Sequence, residues 1–230
     1  MPALAEAKLD LPTGMTAADR RRALEILGYG SGTKILGDPY PLGGYSGVEV
    51  GLSNEVIPTT EISNLGNKSN LQGETSYLQM SFAKGLYYNF DVLVNFAPMG
   101  QGEEVSSFGG GVRWGFFEAE YLPIALMVQV AANSTSFQNK INVSTQTLDL
   151  IASFSVEKVT LYGGVGTIRA SGIFLGGVEG VTDTGSVENE TLSTGRLLAG
   201  AAVKFSKFFA AIEVDRTSEP NYSGKLGIRF

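Results

Sequence analysis

The last nine residues constrain the fold most. Tyr222, Gly224, Leu226, Ile228 and Phe230 fall on one face of an extended strand, and Ser223, Lys225, Gly227 and Arg229 fall on the other. A period of two that separates apolar from charged side chains marks a strand lying between two different solvents. Two closed architectures satisfy it. In a water-soluble barrel the polar face is outside and the apolar face lines a ligand cavity. In a membrane barrel the apolar face meets lipid and the polar face meets the lumen.

A chain of 230 residues suffices for one domain or one barrel. The mean hydropathy of +0.07 is too low for a helical membrane protein. The longest apolar runs, such as Leu197 to Val203, fall far short of the roughly 18 residues a membrane helix needs. A bilayer crossing therefore requires a closed barrel, since lipid offers no partners to unpaired backbone groups. The sequence has no cysteine, so disulfide scaffolds and thiolate metal sites are excluded. It also has no histidine, which removes Ser-His chemistry and imidazole metal sites. No cofactor or metal is expected. A net charge of −6 argues against nucleic acid as a partner. The N-terminus lacks a basic region followed by an apolar one, so the chain reads as a mature form, with Ala3 to Ala5 as the remnant of a cleavage site.

Ten segments alternate in polarity: 44–52, 76–84, 87–97, 107–117, 122–132, 144–156, 159–168, 195–205, 208–216 and 222–230. Most have the length of a tilted strand crossing a bilayer, and an even number suits a single-chain barrel. Their connections alternate too. Residues 85–86, 118–121, 157–158 and 206–207 make brief turns, whereas 53–75 and 169–194 make long loops. Short turns at one end and long loops at the other are the two ends of a membrane barrel. Aromatic residues gather near the segment ends (Tyr88, Phe96, Phe108, Phe116, Phe208 and Phe230), as interfacial girdles do. These features favour lipid over a ligand cavity.

The terminal Phe230, with apolar residues at every second position before it, resembles the C-terminal assembly signal of bacterial outer-membrane β-barrels. The resemblance is to a broad class and covers residues 44–230 in architecture. It implies residence in the outer membrane of a Gram-negative bacterium, contact with outer-membrane lipid and lipopolysaccharide, and recognition of Phe230 by the assembly machinery. With ten strands, both termini are expected in the periplasm.

Residues 1–43 differ from the rest. Thr16 and Asp19 read as a capping box, and the apolar residues behind them predict a helix near 16–28 that carries Arg20, Arg21 and Arg22. Three placements are open: a plug whose arginines meet inward carboxylates, a cap or interfacial helix at the barrel base, or a partner-binding tail. Residues 28–34 look like a phosphate loop, but the glycine spacing is wrong and they follow a helix instead of a strand.

The register turns Glu49, Asp91, Asp149, Glu213 and Asp215 inward, against Arg113, Arg196, Lys204, Lys225 and Arg229. Glu213 is expected near Lys225, and Asp215 near Arg196. Such charges either interlock as a structural filling of a narrow lumen or select ions in a pathway through it. The loops add acidic residues, with Glu179, Asp183, Glu188 and Glu190 clustered in the longest. These serve solubility, divalent cations or a basic partner. The triplets at Asn133 and Asn189 read as polar loop composition.

The sequence thus predicts an all-β, antiparallel up-and-down transmembrane β-barrel of about ten strands, spanning 44–230, with a short N-terminal helix in the segment 1–43. Its expected role is non-enzymatic: a structural or surface-interaction protein with a filled or plugged lumen. The alternative is a narrow passive channel for ions or small solutes, gated by the N-terminal segment.

Overall fold

The structure, a computed structural model, describes residues 10–69, 73–97 and 105–230. Ten antiparallel strands close into a barrel: β1 (Val48–Pro58), β2 (Glu74–Gly85), β3 (Phe90–Phe96), β4 (Val105–Glu118), β5 (Ile124–Phe137), β6 (Ile141–Val156), β7 (Val159–Phe174), β8 (Glu188–Phe205), β9 (Phe208–Arg216) and β10 (Pro220–Arg229). Each strand pairs with its sequence neighbours, and β1 pairs with β10 to close the ring. Phe230 and Val48 exchange two backbone hydrogen bonds at the base of that seam, of 2.8 and 3.1 Å. Closure gives each strand a neighbour on both sides, as lipid requires, although residues 188–196 of β8 extend beyond the end of β9.

All ten expected strands are present, and most are longer than their polarity suggested. Strands β5 to β8 run on past the expected loop boundaries, so most of 133–143 is a hairpin and 188–194 belongs to β8. The reason is an inversion of pattern. Along β6, the outward residues Leu148, Leu150, Ala152 and Phe154 are apolar, while Asn142, Ser144 and Gln146 are polar. The inward side switches the other way, from Thr145, Thr147 and Asp149 to the buried Ile141 and Val143. The wall is inside-out near the short turns and built like a soluble protein near the long loops. At the other end, β3 starts later than expected, because Tyr88 and Asn89 take positive φ angles of 58° and 59° in a tight turn. The expected loop 98–106 and the cleavage remnant at 3–5 fall mostly or wholly outside the described residues.

The N-terminal segment occupies the lumen. Helix α1 (Ala17–Ala23) continues into a π-helical turn over Leu24–Gly28, matching the span expected for the helix. Thr16 and Asp19 form the capping box reciprocally. Burial pushes the Asp19 carboxyl up, but hydrogen bonds from Thr16 outweigh it and hold it below its ordinary value. Leu24, Ile26, Leu27 and Tyr29 pack with Leu11 and Met15 against Ile57, Phe137, Ile141, Val143, Ile168 and Phe174. This is a conventional hydrophobic core set inside the long-loop end, and it explains the inverted wall. Met15 bridges Thr182 in the loop between β7 and β8. Helical hydrogen bonding continues through Tyr29 and Gly30, and from Thr33 the chain runs without regular secondary structure down the lumen to Gly43 and Gly44, whose φ angles of 83° and 87° turn it out into β1.

The glycines of the supposed phosphate loop have a steric purpose. A Cβ on Gly30 would lie 2.8 Å from Ile57, and one on Gly32 would lie 2.7 Å from Ile168. Glycine there lets the segment pass close to both walls. Asp10 to Met15 lie with the long loops, at the opposite end of the barrel from Phe230, so the described ends do not share the short-turn face.

The inversion makes a test within one strand. Leu150→Lys should cost the folded barrel about 2–4 kcal/mol in lipid vesicles, and Gln146→Lys under about 1 kcal/mol. Urea titration in phosphatidylcholine vesicles measures both. Equal costs would mean that both positions see the same solvent.

Candidate functional site

An extended peptide inside a barrel has no secondary structure to satisfy its own backbone, so the wall must do it. The wall does so with side chains, one level after another. Asn133 on β5 donates to the Ser31 carbonyl at 2.9 Å. Arg196 on β8 donates to the Thr33 carbonyl at 3.0 Å. Glu213 on β9 accepts from the backbone N–H groups of Ile35 and Leu36, both at 3.0 Å, and from the Tyr162 hydroxyl at 2.9 Å. Asp91 on β3 accepts from the Leu42 N–H at 3.1 Å. Arg229 on β10 donates to the carbonyls of Tyr40 and Pro41 at 2.8 and 3.1 Å. Leu36, held this way, sits in the left-handed region at φ 44°, a conformation that surrounding contacts must over-determine.

Charge pairs brace these contacts. Arg196 is fully buried within 3.4–3.6 Å of Asp149, Glu213 and Asp215. Lys34 of the luminal segment bonds Asp215. Arg113 holds Asp91 at 2.7 Å, and Lys225 holds Glu49 at 2.7 Å. Of the ten luminal residues expected, eight are buried. Arg229 is partly buried beside Asp38, and Lys204 is exposed at the short-turn rim. Asp215 meets Arg196 as expected. Glu213 does not meet Lys225, because the register sets Ser223 opposite Glu213 and turns Lys225 towards Glu49.

Two luminal charges escape a sequence reading. Glu55 is buried on β1, which extends six residues beyond its expected end, and Lys34 arrives from the segment itself. Alternation continued past Leu52 (Ser53, Glu55 and Ile57 inward) would have found Glu55. No sequence pattern marks Lys34. The expected balance of five acids and five bases is thus replaced, among the described residues, by six buried wall carboxylates against Lys34, Arg113, Arg196 and Lys225.

The arginines of α1 do not reach these inward carboxylates. They meet the acidic rim at the long-loop mouth. Arg20, which is buried, lies 3.0 Å from Asp183, 3.9 Å from Glu188 and 3.5 Å from Glu190. Arg21 reaches Glu190 at 3.3 Å. Arg22 joins Glu25, Glu61 and Glu219, and its guanidinium is held above its ordinary value first by the hydrogen bond to Glu25. Glu179 stays exposed. Asn133, expected in a loop, is a buried strand residue.

Residues 65–230 match a family of unknown function, DUF6588. The chain belongs to that family. Its matched span takes in β2 to β10 and leaves the luminal segment and β1 outside. No curated protein matches the chain. Among solved structures, it is similar to the N-terminal β-barrel domain of Pseudomonas aeruginosa OprF, with 13% identity, 81% of this chain and 98% of that one covered, and a TM-score of 0.39. It is also similar to the attachment invasion locus protein Ail of Yersinia pestis (14% identity, 80% and 97% covered, TM-score 0.33). A third is the translocator domain of the autotransporter NalP from Neisseria meningitidis (12% identity, 93% and 94% covered, TM-score 0.36). Likenesses this distant bear on neither ligand nor activity.

The clamp and the mouth should differ in strength. Arg196→Leu removes the cation shared by three buried carboxylates and leaves Asp149 without a counter-charge, and should cost about 3–5 kcal/mol. Arg21→Ala at the exposed rim should cost under about 1 kcal/mol and less at high salt. Unfolding followed by the fluorescence of Trp114, the sole tryptophan, reads both.

Proposed function

We propose that the protein is an integral outer-membrane β-barrel whose lumen is closed by its own N-terminal segment, with a structural or surface-interaction role and no catalysis. One observation carries this reading: residues 29–42 are seated along the lumen and held at each level by wall side chains. Asp91, Glu213, Asp215, Arg196 and Arg229, which could have lined an ion path, are engaged with that peptide. The outward apolar surface, with exposed Leu148, Leu150, Leu161, Val165, Leu197 and Ile212, supports lipid contact. Lipopolysaccharide would meet the polar outer wall above it, and Phe230 would present the assembly signal on the periplasmic side. In this orientation the short turns face the periplasm, and the acidic mouth faces out. Asp10 then lies outside and Phe230 in the periplasm.

Planar-bilayer recordings test closure. The full chain should be silent, and a chain lacking residues 1–43 should form steady pores. Steady conductance from the full chain would overturn the closed reading. A second reading, a gated channel, is favoured by the ion-pair latch at the mouth, where salt can screen Arg21 and Arg22. Openings of the full chain at molar salt that vanish at low salt would support it.

The absence of cysteine makes orientation simple to test. In intact cells, Asp10→Cys should react with a membrane-impermeant maleimide, and Lys207→Cys in the turn between β8 and β9 should not. The reverse pattern would invert the barrel.

A further inference from the structure

Around residues 33–36 the luminal segment lies against β5 to β9 and does not fill the side of the lumen toward β1 to β4. Between residues 33–36 and the wall of β1 to β5 remains a cavity of about 50 Å³. A water needs about 10–15 Å³ of such room, so the cavity holds only a few. Its wall is mixed, and its polar part comes from Glu55 and Ser53 on β1, Gln79 and Ser81 on β2, Asn95 on β3 and Gln129 on β5.

Three of these groups lack what a buried polar group requires. Neither the amide oxygen nor the amide nitrogen of Asn95 has a hydrogen-bond partner, and the Gln129 nitrogen has none. Both residues are at least nine-tenths buried, with 5% and 1% exposure. Glu55, 3% exposed, accepts one hydrogen bond, from Ser223 at 3.1 Å, and has no cation within salt-bridge distance among the described residues. Three cations do border the cavity, but each is engaged. Lys34 bonds Asp215 and the Gly30 carbonyl, Arg113 holds Asp91, and Lys225 holds Glu49. A buried carboxylate without a counter-charge is costly, and the interior already carries more carboxylates than cations.

We infer that this cavity binds one monovalent metal cation, Na⁺ or K⁺, with Glu55 as its counter-charge and the Asn95 amide oxygen, the serine hydroxyls and water as neutral oxygen partners, the unpartnered Asn95 and Gln129 nitrogens donating to the water. The charge count selects the class. A divalent ion is ordinarily held by several carboxylates, and Glu55 is the one carboxylate at this cavity that no cation satisfies. Hard oxygen donors suit an alkali ion. The ion would complete the neutralisation of the lumen on the side that the peptide leaves empty.

The test compares thermal unfolding of the full chain in NaCl, in KCl and in N-methyl-D-glucamine chloride at equal ionic strength. Site binding predicts a saturable rise in Tm of about 5 °C in one or both alkali salts. The rise should be lost in Glu55→Gln, which needs no counter-charge, and reduced in Asn95→Leu. Thallous ion, a heavy alkali mimic, should give an anomalous peak beside Glu55 in a crystal, which reports on the site even if a variant fails to fold. Equal Tm in all three salts together with no thallium peak would overturn the proposal. A full rise retained in Glu55→Gln would do the same.

Discussion

The Arg196 guanidinium, with no exposure to solvent, joins the two parts of this molecule. It donates to the Thr33 carbonyl of the luminal segment and lies among three carboxylates from β6 and β9. An arginine cannot shed its charge under any ordinary condition, so burial obliges the fold to bring acids to it. Those acids then have unused lone pairs, which Glu213 gives to the backbone of Ile35 and Leu36 and Asp215 gives to Lys34. Barrel wall and inner peptide are thereby parts of one electrostatic unit. Neither half of it would be satisfied alone.

The same peptide accounts for the two-part wall. Where it is helical, it has apolar residues to bury, and the strands around it turn Phe137, Ile141, Val143 and Phe174 inward. Where it is extended, it offers mainly backbone, and the strands turn charges and amides inward. Outside, the order is reversed, with polar residues beside the helix and apolar ones beside the extended stretch. A barrel of uniform polarity could not serve both halves of its own plug.

How much of this the sequence disclosed follows from where polarity contrast is strong. Strands with apolar residues on one face and charges on the other, such as β9 and β10, could be placed within a residue or two. The upper parts of β5 to β8 could not, because Ser134, Ser144 and Ser171 face water while apolar residues face a core, which locally reads as loop mixed with strand. The capping box at Thr16 announced the helix, since capping is local chemistry. Its destination was not local: nothing in Arg20 to Arg22 distinguishes a partner in the lumen from one at the rim. Spacing alone placed Asp215 with Arg196 across adjacent strands. It failed for Lys225, whose partner lies on β1 across the closing seam, 176 positions away in the chain.

The path of residues 10–48 has a topological consequence for how the molecule is made. The segment is a thread through a ring, with its helix on one side of the narrow clamp and β1 on the other. Helix α1 is wider than the extended chain beside Arg196 and Glu213, and it is anchored by its own core. Passing it through a finished ring would mean breaking the clamp and dragging apolar side chains past buried charges. Threading and ring closure are therefore coupled events. The segment has to lie in place before β1 and β10 zip together, so the closing seam, ending at Val48 and Phe230, encloses the stretch of chain that leads into its own first strand.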